Sequence, residues 1–418
     1  MMYEKKTLPN GVRILTEHVP GVRSVSLGIW VGTGSRHESA GENGAAHFIE
    51  HMVFKGTQSR TAAQLAQEMD AIGGQVNAFT TKECTCFYAR VLDTHLNQAA
   101  DILCDMFFHS RFDDADVETE RGVILEEIGM YEDSPEDLVM GQLTENVWAG
   151  QALGREILGT EQTVSGVGSK TLRQYADQFY TGKRIFISVS GKVDEQRFIR
   201  VCEDLFASRA PGAALAERPQ TQYRKSTILT QKDIEQNHIC IGYRGFDMFD
   251  PRKYAVSIFS SLLGGGMSSR LFRKIREDAG LAYTVQSYGT SYRDAGIFCI
   301  YTALAPKSEK ECLELIRREL DAVKKDGFTE DEIARAKEQL KAGIIMDLEN
   351  TASRMKFLAK REIYGGGERN SDEIVKKVDA VTADDVQAVA NELIDHENVS
   401  VSVVGKVRDE SFYTGYFS

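Results

Sequence analysis

No run of about 18 apolar residues occurs anywhere in the chain, so no membrane-spanning helix is expected. The first residues, Met1-Met2-Tyr3-Glu4-Lys5-Lys6, carry charge where a secretory signal would carry an apolar core, and the expected location is the cytoplasm. Cysteine is sparse and unpatterned. The seven residues form no Cys-x-x-Cys pair, so neither a disulfide framework nor a thiolate metal knuckle is expected, and all seven read as reduced, mostly buried thiols. Positive charge is in deficit: 50 Lys and Arg against 62 Asp and Glu give a formal net charge of −12. That balance argues against nucleic acid as a partner and would favour basic peptides if the acid lined a binding site. What remains is ordinary globular composition, 42% apolar and 27% charged, in a chain of 418 residues, long enough for two or more domains.

Histidine is also scarce, yet two of the eight fall within one five-residue stretch, His47-Phe48-Ile49-Glu50-His51. Histidines four apart share a face of a helix one turn apart, so both imidazoles can hold one metal ion. Glu50 is placed to reach a water on that metal without being a ligand. The chemistry needs neutral imidazoles for Zn²⁺ and a nearby carboxylate to deprotonate the water. A third protein ligand is then required. Downstream, Val117, Ile124, Ile128 and Tyr131 repeat at helical spacing behind the acidic start Asp113-Asp114-Ala115-Asp116. Glu120 and Glu127 on this helix are seven apart and share a face over two turns. One could ligate the metal while the other orients a ligand histidine. Spacing alone does not choose among Glu120, Glu126 and Glu127.

The chain repeats itself. Phe112-Asp113-Asp114-Ala115-Asp116-Val117 resembles Phe328-Thr329-Glu330-Asp331-Glu332-Ile333 at an offset of 216. Ile185-Phe186-Ile187-Ser188-Val189-Ser190-Gly191-Lys192-Val193 resembles Val399-Ser400-Val401-Ser402-Val403-Val404-Gly405-Lys406-Val407 at an offset of 214. Two copies of one domain are expected, residues 1–218 and 219–418, joined by the Pro-, Gly- and Ala-rich stretch 210–219. At the 216 offset Glu120 maps onto Ala336, Glu127 onto Gly343, and His47 and His51 onto Leu263 and Met267. Only the first copy holds metal ligands. Within it, Leu8-Pro9-Asn10-Gly11 reads as a hairpin turn. Strands are expected at 24–31, 75–80 and 84–92, and helices at 44–54, 61–72 with Thr61 as N-cap, 93–108 and 113–131. Mixed rather than alternating order points to α+β domains, each a mostly antiparallel sheet with helices packed on it.

His47 to His51 is the zinc-peptidase helix motif H-E-x-x-H written backwards. With Glu120-Arg121 and Glu127 in a Val-Ile-Leu-Glu-Glu context, the chain resembles the pitrilysin and insulinase superfamily, most of all its mitochondrial processing peptidase-like bacterial branch. The resemblance implies His47, His51 and Glu127 as ligands of one zinc per chain, Glu50 as general base and Glu120 as support. It also implies two homologous domains enclosing a peptide chamber, and a metalloendopeptidase acting on extended peptides or unfolded segments. In the second half, Arg276-Glu277-Asp278-Ala279-Gly280-Leu281-Ala282-Tyr283 matches a family segment whose Arg and Tyr act at the scissile bond, which implies those roles for Arg276 and Tyr283. The preceding Leu263-Gly264-Gly265-Gly266 resembles a glycine-rich family loop; no Gly-Lys-Ser/Thr follows it, which argues against phosphate binding. Gln75-Val76-Asn77-Ala78-Phe79-Thr80 resembles an edge strand that pairs with substrate, making Asn77, Ala78 and Phe79 candidate binding residues. A homodimer is the implied assembly, or a heterodimer with a degenerate homologue. The competing expectation is a non-catalytic peptide-binding or assembly subunit of the same fold.

Overall fold

A computed structural model describes residues 3–213, 219–368 and 370–417. Of the expected linker, residues 214–218 lie outside the described residues. Apart from short 3-10 turns, the first half runs β1 (Glu4–Thr7), β2 (Arg13–His18), β3 (Ser24–Val31), α1 (Ala45–Met52), α2 (Ala62–Ala71), β4 (Gln75–Thr80), β5 (Thr85–Leu92), α3 (Leu96–His109), α4 (Asp114–Asp133), α5 (Pro135–Val147), α6 (Glu161–Gly166), α7 (Ser169–Phe179), β6 (Ile185–Gly191) and α8 (Glu195–Phe206). The second half runs β7 (Thr227–Gln231), β8 (Asn237–Gly245), α9 (Lys253–Gly264), a π-helix (Phe272–Asp278), β9 (Ala282–Ser291), β10 (Gly296–Leu304), α10 (Glu309–Asp326), α11 (Glu330–Asp347), α12 (Thr351–Ile363), α13 (Ser371–Ala380), α14 (Ala383–Leu393), β11 (Ser400–Gly405) and α15 (Glu410–Thr414). After β1 the two halves correspond element for element.

The folded units are not simply these halves. Unit 1 comprises Met1–Gly129, Arg155–Arg218 and Ile345–Ser371; unit 2 comprises Met130–Gly154, Pro219–Ile344 and Asp372–Ser418. One passage of the chain between units falls at 218/219. In addition, each half contributes one helix to the other unit: α5 goes to unit 2 and α12 to unit 1. These helices are counterparts, starting at 135 and 351.

Unit 1 is built on a six-stranded sheet in the order β1-β2-β6-β3-β5-β4, antiparallel except where β2 runs parallel to β6. Strand alternation splits its side chains between two layers. Val25, Leu27, Ile29 and Val31 of β3 meet helices of the first half, through Phe48 and Ile49 of α1, Leu103 and Phe107 of α3 and Leu172 and Tyr175 of α7. Trp30, Cys86 and Phe186 face the other way and are covered by Met355, Ala359 and Ile363 of α12. The helix sits close because Gly28 of β3 has no side chain; a Cβ there would lie 2.6 Å from the Met355 sulfur. Polar anchors fix it: Ser26 and Thr351 hydroxyls 2.9 Å apart, and Arg354 donating to both oxygens of buried Glu17 at 2.6 and 3.0 Å.

Unit 2 repeats the plan with five strands, β7-β11-β8-β10-β9, and one parallel pair, β7 with β11. Here α5 covers the sheet, with Val139, Leu143 and Val147 against Cys240, Ile297, Cys299 and Val404. Gly242 of β8 repeats the role of Gly28, because a Cβ there would stand 2.8 Å from Leu143. All seven cysteines are free and buried.

Candidate metal centre

Gly44 is the N-cap of helix α1; its φ of +97° suits glycine, and its missing side chain leaves the first amides uncapped. Glu38, from the preceding loop, supplies the cap. Its carboxylate accepts from Gly44 N at 2.9 Å, Ala46 N at 2.8 Å and Asn43 Nδ2 at 2.9 Å. Residues after α5 clamp the same loop: Arg155 Nη2 donates to the Glu38 carbonyl at 2.6 Å, and Asn43 Nδ2 donates to the Glu156 carbonyl at 2.8 Å. Burial pushes the Glu38 carboxyl up to about 7. Phe48, Ile49 and Met52 anchor the inner face of α1, which aims His47 and His51 outward on one side.

There the imidazoles meet α4. His47 Nε2 lies 3.6 Å and His51 Nε2 3.5 Å from Glu127 Oε2. The three donor atoms lie within 4.8 Å of one another, and among the described residues this is the one group of at least three His, Cys, Asp or Glu side chains so arranged. The three α4 glutamates that spacing left as alternatives stand differently with respect to the histidines. Glu127 faces the histidines, Glu120 is buried with Oε2 3.1 Å from His51 Nδ1, and Glu126 is exposed. A Glu120 carboxylate at Nδ1 favours the tautomer whose Nε2 lone pair is available. Burial, reinforced by the neighbouring His51, lowers the His47 imidazole to about 4, so it is neutral at physiological pH, as a metal ligand must be. Two imidazoles and one carboxylate so grouped fit a zinc ion that keeps a position open.

Glu50 sits between the two histidines on α1. Burial raises its carboxyl above the ordinary range, opposed in part by the neighbouring Thr80 and His51. Its Oε2 is buried with no hydrogen-bond partner among the described residues. A carboxylate held this way, with an affinity for protons moved toward neutrality, is suited to general-base work. No sequence signal singles out Thr80 for this contact. It belongs to β4, with the same strand parity as Ala78 and therefore on the α1 side of the sheet.

β4 is the edge strand expected at 75–80, with β5 as its strand neighbour. Ala78 packs into the core under α1, whereas Asn77 is exposed and its Oδ1 accepts from Ala78 N at 2.8 Å. The Phe79 ring turns to the opposite face, 5.5 Å from Trp30 and 6.1 Å from Tyr88, so its side chain does not line the metal side. Arg276 and Tyr283 lie in unit 2 and meet each other. The guanidinium stacks 4.2 Å over the Tyr283 ring and donates to the Tyr283 carbonyl at 3.0 Å, and Tyr283 is 73% exposed. Arg276 stands on the π-helix, a rare geometry associated with functional sites. The glycine run ends α9 and leads into exposed Met267.

Residues 13–161 match the family described as Insulinase (Peptidase family M16), and residues 167–340 match the Peptidase M16 inactive domain. The chain is 44% identical over 394 residues to an uncharacterized zinc protease of Bacillus subtilis, covering 94% of this chain and 96% of that one. It is 39% identical over 414 residues to an uncharacterized zinc protease of Streptomyces coelicolor, covering 97% and 90%. Three solved structures share the fold. A peptidase M16 inactive domain from Pseudomonas fluorescens gives a TM-score of 0.91 at 18% identity over 98% of each chain. A protease from Helicobacter pylori gives 0.88 at 20% over 96% of this chain and 99% of that one. A chain of complex III2 from Candida albicans gives 0.86 at 19% over 99% of each. On sequence and fold together, the chain belongs to the insulinase family of peptidases, family M16.

Proposed function

We propose that the chain is a zinc-dependent endopeptidase that hydrolyses extended peptides, with one zinc held by His47, His51 and Glu127. The observation that carries this reading is the convergence of His47 Nε2, His51 Nε2 and Glu127 Oε2 beside a buried carboxylate, Glu50. A zinc ion bound there supplies Lewis-acid polarisation of a water and of the scissile carbonyl. Glu50 takes the proton from the attacking water and returns it to the leaving amine. Glu120 holds His51 in the ligating tautomer. The free edge of β4 supports binding of substrate as an added strand, which places little demand on side-chain sequence. Arg276 and Tyr283 are assigned to the substrate by resemblance; their stacking means that each shapes the other.

The shared fold with a chain of complex III2 and the match to an inactive domain keep a second reading in view, a subunit that binds without cutting. The inactive-domain match covers residues 167–340, outside the His47–His51 helix and Glu127, and this favours the catalytic reading. The test is turnover of a quenched fluorescent peptide library by the wild type and by Glu50→Gln, with bound zinc quantified in both. A mutant that keeps its zinc and loses about 10²–10⁴-fold in rate supports Glu50 as base. Zinc in both proteins and cleavage by neither supports the binding subunit instead.

A further inference from the structure

Lys55 lies four residues beyond His51, on the 3-10-like turn that continues α1, where its amide donates to the Met52 carbonyl at 3.1 Å. A lysine after the end of a helix is ordinarily a solvated charge facing the helix dipole. Its partner here is unusual. The Lys55 Nζ contacts Oε1 of Glu120, a carboxylate only 3% exposed, whose other oxygen faces His51 Nδ1 at 3.1 Å. One oxygen of Glu120 is thus held by Lys55 and the other by the ligand histidine. Lys55 itself is about one-third exposed, reaching in from the solvent side.

We propose that Lys55 is a positioning residue of the metal centre: by fixing Glu120 Oε1 it presents Oε2 to His51 Nδ1 and holds the ring with Nε2 toward Glu127. This rests on the zinc-peptidase reading. The geometry separates it from an exposed ion pair, which contributes little and orders nothing. Glu120 is buried, its two described partners are Lys55 and His51, and a buried carboxylate with one oxygen unpartnered would rotate or draw in solvent. Positioning and plain charge also act with opposite sign. A lysine near a divalent cation repels it, so deleting the charge alone would tighten metal binding. Deleting an anchor of the ligand ring loosens it.

The experiment compares the full-length wild type, Lys55→Met, Lys55→Arg, Glu120→Gln and the Lys55→Met/Glu120→Gln double variant. Zinc affinity is measured by chelator competition, and the cobalt-loaded forms by visible absorption. Lys55→Met is expected to weaken zinc binding about 10–100-fold, the range for groups that orient ligand histidines. It should also shift the cobalt ligand-field bands, while Lys55→Arg restores both. In the Glu120→Gln background Lys55→Met should add almost nothing, because the lysine acts through Glu120. Lys55→Gln serves in place of Lys55→Met if the apolar side chain disturbs the turn. Unchanged or tighter binding in Lys55→Met, or an undiminished effect without Glu120, overturns the inference and leaves the peptidase reading intact. A wild type that binds no zinc overturns both.

Discussion

Glu38 couples proton binding to folding. Its carboxyl is raised by burial from an ordinary 4.5 to about 7, so the folded chain holds this proton more tightly than the unfolded chain. The stabilisation it brings is complete below pH 4.5 and is lost as pH rises through 7, a span of about 3 kcal/mol. The melting temperature of metal-free wild type should therefore fall faster between pH 5 and 7.5 than that of Glu38→Gln. Parallel melting curves would exclude the idea. Tyr283→Phe addresses the role carried over from resemblance: if the phenol donates to a developing oxyanion, kcat falls by about 10²–10³-fold, and an unaltered kcat removes that role. The difference between readable and unreadable residues is one of range. His47, Glu50 and His51 are legible because four-residue spacing is a local property of a helix. Glu127 needed the structure or the resemblance, since three glutamates on α4 fit the spacing. Glu38, Lys55 and Thr80 gave no signal, because each matters through a contact made by a different element.

Elements follow their sequence signals where one period governs them. β3 and β4 form as expected at 24–31 and 75–80, β5 begins one residue later than read, and Thr61 caps α2 by accepting from Gln64 N. Helix α1 is shorter than the expected 44–54, because after Met52 the chain tightens into 3-10-like bonds such as Phe54 N to His51 O. The π-helix carrying Arg276 was not legible, since its extra residue per turn leaves no hydrophobic period to read. The correspondence of elements pairs β4 with β9, and both end their sheets; the candidate substrate strand and Tyr283 thus stand on equivalent edges. If substrate adds to β4, peptides methylated at single backbone amides should lose kcat/KM at every second position. The expected loss is roughly fivefold, for one hydrogen bond of about 1 kcal/mol. Equal loss at all positions, or none, would argue against strand addition.

At the scale of the molecule the internal repeat was legible and the exchange of α5 and α12 was not. Similarity between halves reports that each has this helix; it says nothing about which sheet receives it. A chain ending near 218 keeps β1 to β6 but loses α12, leaving Trp30, Cys86 and Phe186 uncovered. A chain starting at 219 likewise leaves Cys240, Ile297 and Cys299 without α5. Residues 1–218 and 219–418 produced separately should therefore aggregate, and produced together should assemble into an active pair. A soluble, cooperatively melting 1–218 fragment would contradict this. Gly28 and Gly242, each cleared for the arriving helix, mark the same adaptation in both copies. A lone half of this design could close its sheet only by trading the helix with a twin. The present chain carries that exchange within itself, α5 in one unit and α12 in the other, so cutting it between the halves should leave two mutually dependent pieces.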